Sequence, residues 1–238
     1  DEKPTLHDVD FELKAGETLG IVGRTGSGKS AIVKLLLRQF EQFEGRITYG
    51  GTSILQYGRD HYMQALGYVP QEHFLFSTTV KQNIAFANVE AAQHEVEEAA
   101  RLAFIHDDIL SFTNGYETVV GERGVALSGG QKQRISIARA LVLKPELLIL
   151  DDSLSAVDAR TEEVILHNLR EERQDATTII ISHRLSAITH ASTILFMEDG
   201  TVVEKGTHEE LMALKGRYYE MYQLQQLEAL VERGGSHA

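Results

Sequence analysis

Cysteine is missing from all 238 residues of the chain. That absence removes disulfide frameworks, thiolate metal sites and cysteine nucleophiles together, and it fits a reducing compartment. Basic charge is short as well: 23 Lys and Arg stand against 35 Asp and Glu, a formal net charge of −12. A general nucleic-acid binder needs a basic face to displace phosphate counterions, so no nucleic-acid partner is expected. No apolar run approaches the ~20 residues that span a bilayer, and no apolar h-region follows the charged opening residues, so no signal peptide is expected. Internal repeats and low-complexity linkers are lacking. What remains is an ordinary globular composition, 42% hydrophobic and 24% charged. The chain is long enough for one large domain or two small ones, with a core that needs no staples.

Short apolar runs alternate with longer amphipathic stretches, the pattern of an α/β fold with a parallel sheet covered by helices. Strands are expected at 17–22, 46–49, 66–69, 147–150 and 177–181, and a hairpin at 193–197 and 201–203 around Glu198-Asp199-Gly200. The runs LLIL and TTIII are unbroken, as in strands buried on both faces. A helix is expected at 30–40, after a glycine-rich turn. From 79 to about 143 the periodicity is helical and no strand is expected, with Glu95, Glu97 and Glu98 on a solvated face. The expectation is therefore an α/β core interrupted by a helical insertion. The terminal residues 233–238 read as a flexible tail and are left out of fold reasoning.

The sharpest motif is Gly23-Arg24-Thr25-Gly26-Ser27-Gly28-Lys29-Ser30, which fits G-x-x-x-x-G-K-[ST] between an expected strand and an expected helix. Glycines let the backbone curl so that successive N–H groups face phosphate oxygens. The following helix adds the partial positive charge of its N-terminus. In this motif Lys29 reaches the β- and γ-phosphates and the Ser30 hydroxyl ligates Mg²⁺. The run 147–151 supplies the complement, because an apolar strand delivers Asp151 to the C-terminal edge of the sheet, where ligands of open α/β sheets bind. Asp151 is expected to hold Mg²⁺ through water. Leu127-Ser128-Gly129-Gly130-Gln131 opens a helix running to about 143. Ser128 with Gln131 is a capping box that needs no function. Two glycines in a first turn nonetheless cost about 1 kcal/mol each against alanine, so close approach to an anion can coexist with capping.

Together these motifs resemble the nucleotide-binding domain of ATP-binding cassette (ABC) transporters, and the resemblance runs through essentially the whole chain. It implies a P-loop NTPase fold: a RecA-like core with a mostly parallel sheet at about 1–74 and 144–238, a helical subdomain at about 75–143, and a peripheral antiparallel β part. Gln71 in YVPQEHFLF looks like the Q-loop glutamine, which senses Mg²⁺ and contacts the membrane domain. Ser155-Ala156-Val157-Asp158 resembles the D-loop, and His183 in IISHR the switch histidine that contacts the γ-phosphate. No histidine falls in a metal-ligand spacing such as H-E-x-x-H. The family pairs two such domains head to tail, so that Ser128, Gly129, Gly130 and Gln131 of one chain serve the nucleotide on the other's phosphate loop. The segment TVVGERG, with Glu122 and Arg123, is similar to one typical of exporters, where it touches the transmembrane domains. The resemblance thus implies an ATPase on the cytoplasmic side of a membrane, driving efflux of drugs, lipids or other hydrophobic compounds.

Three departures matter. Asp152 stands where hydrolysing members carry the catalytic glutamate, and Ala31 where many carry a phosphate-binding threonine. Both resemble the poorly hydrolysing half of heterodimeric bacterial multidrug exporters. The aromatic residue that stacks on adenine lies upstream of the L-x-D-V-x-F segment, here 6–11, so it and the first strand are expected before Asp1, as are the transmembrane helices. Two other readings stand beside the exporter ATPase. One is a module that binds ATP and dimerises while its partner hydrolyses; the other is a soluble cassette ATPase, against which the exporter-like segment and the acidic charge speak.

Overall fold

The computed structural model describes residues 5–121 and 124–235. In chain order its elements are β1 (Thr18–Gly23), α1 (Lys29–Leu36), β2 (Thr48–Tyr49), β3 (Thr52–Ser53), α2 (Arg59–Gln64) and β4 (Leu66–Val69). Then come α3 (Val80–Ile84), α4 (Gln93–Leu102), α5 (His106–Ser111) and α6 (Gly129–Leu141). The chain continues through β5 (Leu147–Asp151), α7 (Ala159–Glu172), β6 (Thr177–Ile181), β7 (Thr193–Glu198), β8 (Thr201–Gly206), α8 (His208–Leu214) and α9 (Arg217–Gly235).

The unbroken apolar runs become inner strands of a six-stranded sheet ordered β4-β5-β6-β1-β7-β8. Its first five strands pair in parallel, and β8 returns antiparallel against β7. Alternation explains why the runs must be apolar throughout. Leu147, Ile149, Ile179, Ile181, Leu195 and Met197 face one core with Ile32, Val33 and Leu36 of α1. Their neighbours Leu148, Leu150, Ile180, Ile194 and Phe196 face the other, with Ile165 and Leu169 of α7. That second core continues without a break into the helical stretch, through Val80, Ile84, Val96, Ile105, Ile135 and Ile137.

The expected hairpin at 193–203 closes through Asp199 and Gly200, at φ 45° and 80°, the left-handed pair of a type I′ turn. Two boundaries differ from expectation. Helix α1 stops at Leu36 rather than 40, because Arg38 takes φ 51°. No helix passes through that conformation, and the Arg38 guanidinium is drawn to the Tyr57 carbonyl at 2.9 Å. The strand expected at 46–49 shortens to two residues and pairs with β3 across Gly50 and Gly51 in a small antiparallel sheet. The exporter-like residues Glu122 and Arg123 lie outside the described residues. Among the described residues no helix is long and apolar enough to cross a membrane.

Candidate functional site

The C-terminal ends of the parallel strands β1 and β5, with β6 between them, deliver the two strongest motifs to the same edge of the sheet. After β1 the chain turns through Arg24, Thr25 and Gly26, all exposed, into Ser27, which is buried. Gly28 occupies the N-cap of α1 at φ 100° and supplies no side-chain cap. Helices α3, α6, α7 and α8 are all capped by a Thr, Ser or Asp side chain. Among the described residues the Lys29 and Ser30 N–H groups of α1 have no acceptor in the loop and remain available to another, the chemistry a phosphate needs. Ala31, in that first turn, bonds back to the Gly28 carbonyl at 2.9 Å and brings no side-chain donor. The loop is stapled from behind. Gly200 N–H donates to the Ser27 carbonyl at 3.1 Å, and His7 N–H to the Gly200 carbonyl at 2.9 Å.

Lys29 is 6% exposed, and its Nζ donates to the carbonyls of Gly23 at 2.7 Å and Arg24 at 2.9 Å. Burial pushes its pKa down, opposed by the charges of Asp152 and Asp151. Asp151 ends β5 and accepts from Tyr68 Oη at 3.3 Å. Its pKa is pushed up, chiefly by burial and further by Asp152, against the Tyr68 hydrogen bond and the charge of Lys29. Ser30 is exposed at the helix start.

Asp152 sits at φ 47°, a left-handed conformation that Asp tolerates better than most residues. That turn aims its carboxylate at two further segments. Gln71 Nε2 donates to Oδ2 at 3.4 Å and His183 N–H to Oδ1 at 3.5 Å. Thus Gln71, Asp152 and His183, read from motifs 81 and 31 residues apart, are brought together.

Ser128 caps α6 as expected: its Oγ accepts from Gln131 N–H at 3.2 Å, and Gln131 Oε1 accepts from Ser128 N–H at 3.0 Å. Among the described residues the Ser128 O–H donates to none. Gln131 Nε2 also donates to Asp108 at 3.1 Å, and Asp108 pairs with Arg134 at 2.8 Å, fixing the helix start on α5. A Cβ on Gly130 would come within 3.1 Å of the Ala156 carbonyl, so that glycine has a packing reason. Gly129, exposed and meeting only Ala156 Cβ at 3.7 Å, has none of comparable strength. Asp158 caps α7 through Thr161 N–H at 3.0 Å.

Sequence reasoning passed over three residues that organise this site. Tyr68 holds Asp151 across 83 positions. The buried Gln133 receives the Ala156 N–H at 3.0 Å. Arg184 ties the carbonyls of Leu154, Ser155 and Val157 at 2.8, 2.7 and 3.1 Å and pairs with the buried Glu162 at 3.2 Å. Arg184 and Tyr68 carried a signal only by place, within IISHR and YVPQEHFLF.

Residues 6–155 match the family profile described as ABC transporter. Over 233 residues the chain is 53% identical to the Bacillus subtilis probable multidrug resistance ABC transporter ATP-binding/permease protein YheI, covering 98% of this chain and 40% of that protein. It is 52% identical to the Escherichia coli multidrug resistance-like ATP-binding protein MdlA, covering 97% of this chain and 39% of MdlA. The chain thus spans about two fifths of the length of these curated relatives. Among solved structures, a bacterial Atm1-family ABC exporter with ATP bound superposes with a TM-score of 0.88 at 44% identity, over 93% of this chain and 39% of the other.

Proposed function

This chain belongs to the ABC transporter family, and from that membership we propose that it is the ATP-binding and ATP-hydrolysing domain of an exporter that moves drugs, lipids or other hydrophobic compounds. One observation carries the reading. A helix whose cap offers no side chain begins where Lys29, Asp151, Asp152, Gln71 and His183 converge. In this reading the backbone N–H groups of 25–30 bind the phosphates. Lys29 leaves the Gly23 and Arg24 carbonyls to meet their charge, and Ser30 with Asp151 would hold Mg²⁺, with Gln71 beside them. When bound, Mg²⁺ would supply neutralisation of the phosphate charge. Among the described residues no cluster of three or more His, Cys, Asp or Glu is placed to hold a metal. That donor set fits an ion which draws its remaining ligands from phosphate and water.

Asp152 orients the attacking water as a base, and His183 donates to the γ-phosphate. The helix start at Ser128, Gly129, Gly130 and Gln131 faces a nucleotide on a second such domain, with Asp158 lining the same interface. In the same reading, segments around Gln71 and Glu122 meet the transmembrane part on the cytoplasmic face of the membrane. We divide it into a core at about 1–74 and 144–238 and a helical subdomain at about 75–143. Replacing Lys29 with Ala is expected to lower ATP affinity by about tenfold or more, as loss of a charge-assisted contact does. Labelled ATP binding as tightly to Lys29→Ala as to the parent refutes the phosphate-loop assignment.

A second reading, a weakly hydrolysing site in a heterodimer, is favoured by Asp152. Aspartate is one methylene, roughly 1.5 Å, shorter than glutamate, and a general base must come within about 2.6–3.2 Å of its water. Asp152→Glu is expected to raise turnover at this chain's own site, measured with the partner's phosphate-loop lysine disabled. A parent rate equal to that of the variant leaves Asp152 as a competent base.

A further inference from the structure

The loop that carries His183 leaves the sheet at the end of β6 and is held from two sides. On the inner side, Arg184 N–H donates to Ser182 Oγ at 2.9 Å, Ser186 Oγ donates to Glu162 at 2.8 Å, and the Arg184 guanidinium grips the 154–157 turn. On the outer side, one residue of α9 reaches it. Gln225 Nε2 donates to the His183 carbonyl at 2.6 Å, and Gln225 Oε1 accepts from Leu185 N–H at 2.9 Å. A carboxamide carries one donor end and one acceptor end, so this orientation satisfies both peptide groups at once and the reverse would satisfy neither. The first half of α9 is itself anchored. Tyr218 is fully buried, its hydroxyl is 2.7 Å from His208 Nδ1, and Met221 and Tyr222 pack on the core. From Leu224 onward the apolar residues Leu224, Leu227, Leu230 and Val231 are exposed.

We propose that Gln225 is a positioning residue for His183: its amide clamps the peptide groups on either side of Arg184 and so fixes the direction in which the His183 side chain leaves the loop. His183 is exposed, and its only described hydrogen bonds run through its backbone, to Asp152 and Gln225. Its imidazole is therefore aimed by the backbone that bears it, and Gln225 holds the carbonyl of that same residue. The proposal rests on the reading of His183 as the γ-phosphate contact. A displacement of about 1 Å at such a contact can slow a reaction by up to about a hundredfold, whereas nucleotide affinity stays with the phosphate loop.

The test is made in the full-length transporter with its partner, measuring kcat and KM for ATP. Gln225→Leu removes both hydrogen bonds and is expected to lower kcat about tenfold, with KM within about twofold. Gln225→Glu sets a carboxylate against the His183 carbonyl, and only its protonated form can donate there. Ionised, it keeps the acceptor for Leu185 N–H and loses the donor to the His183 carbonyl, so its kcat is expected to fall at least as far as that of Gln225→Leu, with KM within about twofold. In a His183→Ala background, Gln225→Leu is expected to add no further loss, the signature of two residues acting as one unit. Parental kcat in Gln225→Leu beside a slow His183→Ala overturns the positioning role alone. So does parental kcat in Gln225→Glu, or a full additional loss in the His183→Ala background. A His183→Ala transporter turning over at the parent rate overturns the reading of His183, and this proposal with it.

Discussion

The Asp151 carboxylate ends a buried strand and stands beside a second carboxylate, Asp152. Burial raises its pKa above the unfolded value, and the repulsion from Asp152 adds to that. The folded state then binds a proton that the unfolded chain has released, so Asp151 subtracts stability as pH rises above the ordinary carboxylate range. Asp151→Asn keeps an acceptor for Tyr68 and removes the charge. It is expected to raise stability at pH 7 by about 0.5–1 kcal/mol, the low end because the carboxylate is partly solvated. That is roughly 2 °C in Tm for a chain this long, and the gain shrinks toward pH 4. The same variant is expected to lose Mg²⁺-dependent hydrolysis. Thermal unfolding at the two pH values checks the sign; an Asn variant less stable at pH 7 means that attraction to Lys29 outweighs burial.

Helix α6 has two accounts of its first residue, and one substitution separates them. Ser128 caps the helix, and removing a cap costs about 1 kcal/mol. Aspartate caps as well as serine but turns a negative charge toward anything the helix start faces. Ser128→Asp is therefore expected to leave Tm and this chain's own ATP binding unchanged while hydrolysis in the assembled transporter collapses. Full turnover by Ser128→Asp reduces Ser128 to its capping role. Elements differ in how far the sequence discloses them. LLIL and TTIII announce strands because burial on both faces forbids polar residues, and the phosphate loop is legible because its spacing is imposed by backbone geometry. Strand β3, two residues long, has no periodicity to read. The Tyr68–Asp151, Gln133–Ala156 and Gln225–His183 bonds are invisible in the sequence because each joins ordinary residues across 23 or more positions. Likewise, no local pattern signals that Asp152 turns left-handed, since sheet pairing of its own N–H with the Ile181 carbonyl at 2.8 Å holds it there.

At the scale of the whole molecule, the helical stretch between β4 and β5 owns no separate core; its apolar residues continue those on one face of the sheet. The phosphate loop is likewise not self-supporting. Its Ser27 carbonyl is held by Gly200, in the β7–β8 turn, and Gly200 in turn by His7. A Cβ on Gly200 would sit 2.3 Å from the Thr5 carbonyl, so the chain leaves that turn no spare room. The turn at Gly50 and Gly51 is built on the same two-residue plan, yet a Cβ on Gly51 would meet nothing within 4 Å. Two turns of like plan, one exposed at Gly51 and one buried at Gly200, thus differ sharply as places to graft foreign sequence. A short peptide tag spliced between Gly50 and Gly51 is expected to leave labelled-ATP binding intact. The same tag between Asp199 and Gly200 is expected to abolish it, and equal binding by both chimeras would mean the staple is dispensable. Reporter fusions and split-protein halves for this domain therefore belong at the first hairpin, while the second has to be treated as part of the nucleotide's seat.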